Sequence, residues 1–111
     1  MKIEEHMKAF EEHRAAIDWA IDRGLQASQR IVGTHASRAV TELFSAYLHK
    51  ISKIDPGFQI NHRWFKSHSA GERFPDFPKK ETILNKMIKL ENMAENLTYG
   101  AQKQEKEIKE T

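Results

Sequence analysis

Two stretches of the chain gather residues able to do chemistry. The first is His62-Arg63-Trp64-Phe65-Lys66-Ser67-His68. If the stretch is helical, Arg63 and His68 lie within one and a half turns of each other, so a guanidinium can hold a phosphodiester while an imidazole moves a proton. Arg30 and His35 repeat that spacing, which weakens it as a signal. The plainer reading is a basic surface turn anchored to the core by Trp64 and Phe65. The second stretch is Leu90 to Gly100, where Asn96 lies off the apolar stripe and Tyr99 precedes a glycine, so a polar cluster can form where a helix meets its neighbours. The plainer reading there is a tyrosine hydroxyl satisfied at the edge of the core. The candidate ligand-binding residues are therefore His62, Arg63, Trp64, Lys66, His68, Asn96 and Tyr99; no catalytic residue is assigned.

Other chemistries lack their parts. The absence of cysteine removes disulfides, thiolate chemistry and Cys-containing zinc sites. His35, His49, His62 and His68 are scattered without the HExxH or HxH spacing of a metal site, so neither metal nor cofactor is expected. Glu42 is the one acid between His35 and Ile54, and the expectation for it is solvent or an ion pair with Arg38 one turn earlier. The glycines are too dispersed for a phosphate-cradling loop, and no serine sits in a nucleophile elbow.

The elements that must position these residues read as helices. From Ile3, apolar residues recur at Met7, Phe10, Ile17 and Ile21, with Arg14 in the missing step, which predicts a long first helix. Gly24 and Gly33 weaken its far end, and the capping residue Thr34 places a break or bend between Gln29 and Thr34. His35 to Ile54 carries a wide apolar face and is expected to be the most buried helix, stopped by Asp55-Pro56-Gly57. Residues 58–79 hold four of the six Phe without a long period. In that segment Asn61 is placed to cap a short helix from His62 to Ser67, and Phe74 and Phe77 are expected to pack onto the bundle. After Pro78, Ile83, Met87, Leu90, Ala94, Leu97, Ala101 and Ile108 follow alternating steps of four and three, a heptad seam. Residues 101–111 are nearly all polar and read as a frayed tail. The expected fold is all-α, one domain over residues 1–111: an antiparallel up-and-down bundle of three long helices with a short helix in the 58–79 loop. Burying Trp19, Phe44, Tyr47, Trp64, Phe65 and Leu97 together strains a monomer of this size, so a homodimer is expected.

Charge is uneven. Residues 1–27 hold four basic and six acidic residues, whereas residues 49–80 hold seven basic and three acidic. An anion is best received in the second region. The acidic, interrupted start MKIEEHMKAFEEH is unlike a signal peptide, and no apolar run has the length of a membrane span, so a cytoplasmic protein with no membrane contact is expected.

The order of segments resembles the HEPN superfamily of small α-helical domains. The likeness rests on ASRAVTELFSAYLH (residues 36–49), on His62-Arg63-Trp64-Phe65, and on Glu95-Asn96-Leu97-Thr98-Tyr99-Gly100. The runs IVGTHASRAVTELFSAYLHKI, INHRWFKS and ENLTYG are similar to an uncharacterised, largely archaeal group of HEPN-like proteins. The resemblance spans residues 31–100 and implies a helical dimer, often paired with a nucleotidyltransferase-type protein. Active members carry Arg and His in the last helix at an R-x4-6-H spacing. Here Glu95 stands where that Arg is expected and Tyr99 where that His is expected. The resemblance is thus to the non-catalytic members, which serve as binding or scaffold partners. The expected function is a non-enzymatic homodimer that binds RNA, a nucleotide or a protein. The alternatives are a metal-independent ribonuclease built on Arg63 and His68, and a structural partner that docks through the seam.

Overall fold

The computed structural model describes residues 3–55, 58–66, 68–103 and 105–109. It contains three long α-helices, α1 (Ile3–Arg23), α2 (Gln29–Lys50) and α3 (Lys80–Tyr99), and a short α4 (Glu105–Lys109). Two 3-10 helices, His62–Lys66 and His68–Arg73, lie between α2 and α3. No strand occurs among the described residues, and the architecture is the expected all-α bundle. The helices pack in chain order, with α2 shared between α1 and α3. Contacts of His6 with Glu42 and of His13 with His35 make α1 and α2 antiparallel, and those of Gln29 with Leu97 and of Ser37 with Glu91 do the same for α2 and α3. No helix among the described residues is long and apolar enough to cross a membrane.

The break between the first two helices falls earlier than the sequence suggests. Gly24, at φ +114°, ends α1, and Gly33 and Thr34 lie inside α2. Gly33 serves a helix crossing: a Cβ there would lie 2.7 Å from the Ala94 carbonyl oxygen and 2.8 Å from the Leu97 Cβ. Glycine is present because two backbones approach, which a local reading mistakes for a helix breaker. The other end of α2 also comes early, at Lys50 rather than Ile54. Ser52 takes φ 57° and, with Lys53 N–H on the Leu48 carbonyl at 2.9 Å and Ser52 N–H on the His49 carbonyl at 3.0 Å, completes a Schellman cap. Pro56 and Gly57 lie outside the described residues.

The main core joins Phe44 and Leu48 of α2, Phe65, Phe74 and Phe77 of the connecting segment, and Leu84, Met87 and Ile88 of α3. Phe74 stacks on Phe65 with centroids 5.8 Å apart and meets Phe44 edge-on at 5.4 Å. The 58–79 segment therefore supplies core, as its aromatic content implies. Asn61 caps the first 3-10 helix through its Oδ1, which accepts the Arg63 N–H at 2.9 Å; the second 3-10 helix is not expected from the sequence. On α3 the buried face is Leu84, Met87, Ile88, Glu91, Ala94 and Leu97. The heptad seam is thus rotated by about one residue toward Glu91, and it faces α2 inside the chain.

A second core unites Ala20, Leu25, Val32, Leu97 and Ile108. It corrects the expectation of a frayed tail. Ile108 is 2% exposed, and buried Gln29 holds the returning chain by donating to the Leu97 and Ala101 carbonyls at 3.1 Å each while accepting the Lys103 N–H at 2.6 Å. The polar run after Gly100 hides one apolar residue, which is enough to dock a single turn. Phe44, Phe65 and Leu97 are fully covered within the monomer, Tyr47 and Trp64 are half-buried, and Trp19 remains 50% exposed.

Candidate functional site

Where α2, α3 and the first 3-10 helix converge, a carboxylate is buried. Glu91 is 5% exposed, on the face of α3 that otherwise carries core residues. Its Oε2 accepts the Ser37 hydroxyl at 2.5 Å and its Oε1 accepts His62 Nδ1–H at 2.9 Å. Removing a carboxylate from water is costly unless both oxygens are partnered, and here both are. With Nδ1 donating to Glu91, Nε2 is the ring nitrogen left to face outward.

His62 stands between two hollows. One, of about 440 Å³, is lined by Gly33, Thr34, Ser37, Thr98, Tyr99 and Lys66 among others; the second, of about 580 Å³, by His13, Thr41, Glu42, Asn61 and Trp64 among others. Arg38, His62 and Arg63 line both. The hollows form two arms of one groove with two guanidiniums and an imidazole at the junction. Arg38 sits on α2 one turn after Thr34, whose carbonyl accepts from it at 3.3 Å. Arg63 is exposed and, among the described residues, its guanidinium has no acceptor. Lys66 is held by Glu95 at 2.7 Å, so its charge is largely cancelled within the groove. The junction thus presents two cations, each able to grip a phosphate or carboxylate through paired N–H donors.

At the first arm Tyr99 is 77% exposed, a free ring at the mouth. Below it the Thr98 hydroxyl donates to the Ala94 carbonyl at 2.9 Å and lies 3.4 Å from that of Thr34. At the second arm Trp64 packs against Phe58 and Phe74, each with centroids 5.9 Å away, and Arg73 lies over its ring at 4.8 Å. One side of the indole is therefore committed to the fold.

Of the residues expected from sequence, His62, Arg63, Trp64, Lys66 and Tyr99 line the groove. Asn96 is exposed and lines neither arm. The side chain of His68 lies outside the described residues. Sequence reasoning missed Ser37, Arg38 and Glu91. The available signal was Glu91 itself, an acid four residues after Met87 and three before Ala94 on the apolar face.

A second polar seam runs between α1 and α2. Buried His6 bonds Glu42 at 2.6 Å and stacks on His49 at 5.1 Å, so Glu42 pairs with a histidine on the neighbouring helix rather than with Arg38. His13 and His35 meet through their Nδ1 atoms at 2.8 Å, which requires one of the two rings to accept. Burial lowers the pKa of His13, with Arg38 adding to the effect and Glu42 and Glu12 opposing it; burial, His13 and Arg38 lower that of His35. No group of three or more His, Cys, Asp or Glu among the described residues is arranged to hold a metal ion.

No family model, no curated protein and no solved structure matches the chain.

Proposed function

We propose that the groove binds a phosphorylated ligand, a nucleotide or a short single-stranded RNA, with its phosphate at the junction of Arg38, His62 and Arg63. The observation that carries this reading is the setting of His62. A buried carboxylate, itself held by the Ser37 hydroxyl, fixes an imidazole that shares with Arg38 and Arg63 the lining of both hollows. A phosphate at the junction leaves the attached nucleoside to enter an arm, and the exposed ring of Tyr99 offers a stacking surface of the sort that binds bases without reading sequence. The resemblance to non-catalytic HEPN domains is compatible with such a binding role. The test is anisotropy of a labelled oligoribonucleotide across a salt series: the expected result is saturable binding that weakens as salt rises. Binding that ignores salt, or none for RNA or free nucleotide, contradicts the reading.

One observation favours a second, enzymatic reading. His62 has the orientation a general base needs, with Nδ1–H on Glu91 and Nε2 open to the groove. With RNA at the junction, Nε2 takes the proton of a ribose 2′-hydroxyl, the 2′-oxygen bonds phosphorus, the bond to the 5′-oxygen breaks, and the proton passes to that leaving oxygen. The products are a 2′,3′-cyclic phosphate and a free 5′-hydroxyl, with no metal required. This moves the alternative from Arg63 and His68 to Arg63 and His62. Mass spectrometry of RNA incubated with wild-type, His62→Ala and His68→Ala proteins decides it: cyclic-phosphate products that disappear only with His62→Ala support the enzyme, and uncut RNA with all three removes it.

A further inference from the structure

α1 presents an apolar side that this chain leaves open. The residues it turns toward α2 are small or imidazole: His6 on Glu42, His13 on His35, and Ala20 in the core with Val32. Its large apolar residues, Ile3, Met7, Phe10, Ile17 and Ile21, stand about a quarter turn away at 100° per residue. Ile3, Met7 and Ile21 are 38%, 36% and 54% exposed. Leu43 is 44% exposed and follows Glu42, the partner of His6, so it extends the N-terminal half of the stripe onto α2. None of these residues lines either arm of the groove.

The border of the stripe specifies what covers it. Glu4, Glu11, Asp18 and Asp22 recur at steps of seven, seven and four, forming one exposed acidic row on the side of the stripe away from α2. Arg14 interrupts the stripe, but its contact with Glu11 is a 3.9 Å pair between exposed side chains that neutralises little. A second copy docked antiparallel through this stripe would set its acidic row beside the same row here, and an anionic membrane surface would be repelled likewise.

We infer that this face of α1 is a docking surface for a basic amphipathic helix of a protein partner, whose apolar residues cover the stripe and whose Lys or Arg residues meet the acidic row. The test uses the full chain with two synthetic helical peptides about as long as α1 and of equal apolar content, one Leu/Lys and one Leu/Glu, followed by anisotropy. The Leu/Lys peptide is expected to bind at least about 10-fold more tightly. Glu11→Lys with Asp18→Lys should reverse the preference, and Met7→Asn with Ile21→Asn should abolish binding of both peptides. Glu72→Lys with Glu81→Lys, the same charge change elsewhere on the surface, should leave the preference intact. All six of these positions are exposed, and circular dichroism verifies that each variant keeps its helices. Equal binding of the two peptides overturns the inference, as does an equal effect of the Glu72 and Glu81 changes. So does a dimer, seen by light scattering, that the Met7 and Ile21 changes dissolve, because the occupant would then be a second copy.

Discussion

Glu91 and His62 are joined at 2.9 Å across the boundary between α3 and the first 3-10 helix, and that contact ties the position of the connecting segment to the orientation of the imidazole. A buried acid is tolerated there because Ser37 occupies its other oxygen. Glu91→Ala should orphan both partners and lower stability by about 1–3 kcal/mol, whereas Glu91→Gln, which can accept from His62 and donate to Ser37, should cost less. Urea denaturation checks this. Equal loss in the two variants would mean that the negative charge of the carboxylate, which the amide cannot replace, rather than its packing or its acceptor geometry, holds Ser37 and His62 in place.

Gly33→Ala places a methyl group 2.7 Å from both the Ala94 carbonyl oxygen and the Thr98 Oγ1. Because one of these atoms is backbone, α2 and α3 must separate, at an expected cost of about 1–3 kcal/mol. Thr34 and Thr98 lie at the same crossing, so the variant should also perturb the first arm of the groove. Amide chemical shifts around Thr98 and Tyr99 report the separation; unchanged shifts and stability would contradict so close a crossing.

Acid should loosen α1 from α2. His13 and His35 titrate below 6.5 in the folded chain and near about 6.5 when unfolded. The sign follows: between those values the unfolded chain binds more protons, so stability falls as pH drops below about 6.5, and these two groups add no slope well above it. Denaturation midpoints should decline from about pH 7 to about pH 5, and His13→Gln with His35→Gln should flatten the decline. A midpoint that rises on acidification would contradict the account.

Ser52 holds the left-handed position of the α2 cap at φ 57°, a conformation glycine adopts without steric cost. Ser52→Gly is expected to stabilise the protein by a few tenths to about 1 kcal/mol, read from thermal unfolding. A loss of stability would show that the serine side chain makes a contribution larger than its backbone strain.

The helices were legible because their apolar residues recur at helical period, and the basic turn was legible because charge and aromatics cluster between His62 and His68. What escaped was set by tertiary contact. Gly33 reads locally as a breaker, and only α3 pressing on α2 makes it an interior residue. Glu91 differs from a solvated acid through Ser37, fifty-four positions away, and through the loop that brings His62 to its other oxygen. Ile108 stands alone in a polar run, and its burial depends on Gln29 binding the returning backbone. α1 shows the converse. Its regular stripe promised a core, yet the helix meets α2 through His and Ala, leaving much of the stripe outside.

The most direct measurement compares oligoribonucleotide affinity for Arg38→Ala and Arg63→Ala with that for Lys86→Ala and Lys89→Ala, which remove the same charge from exposed positions on α3. Each arginine change should weaken binding by at least about 10-fold, as expected for a lost hydrogen bond to a charged group, with small effects from the lysine changes. Equal losses in all four variants would reduce binding to general surface charge and contradict the groove as the site.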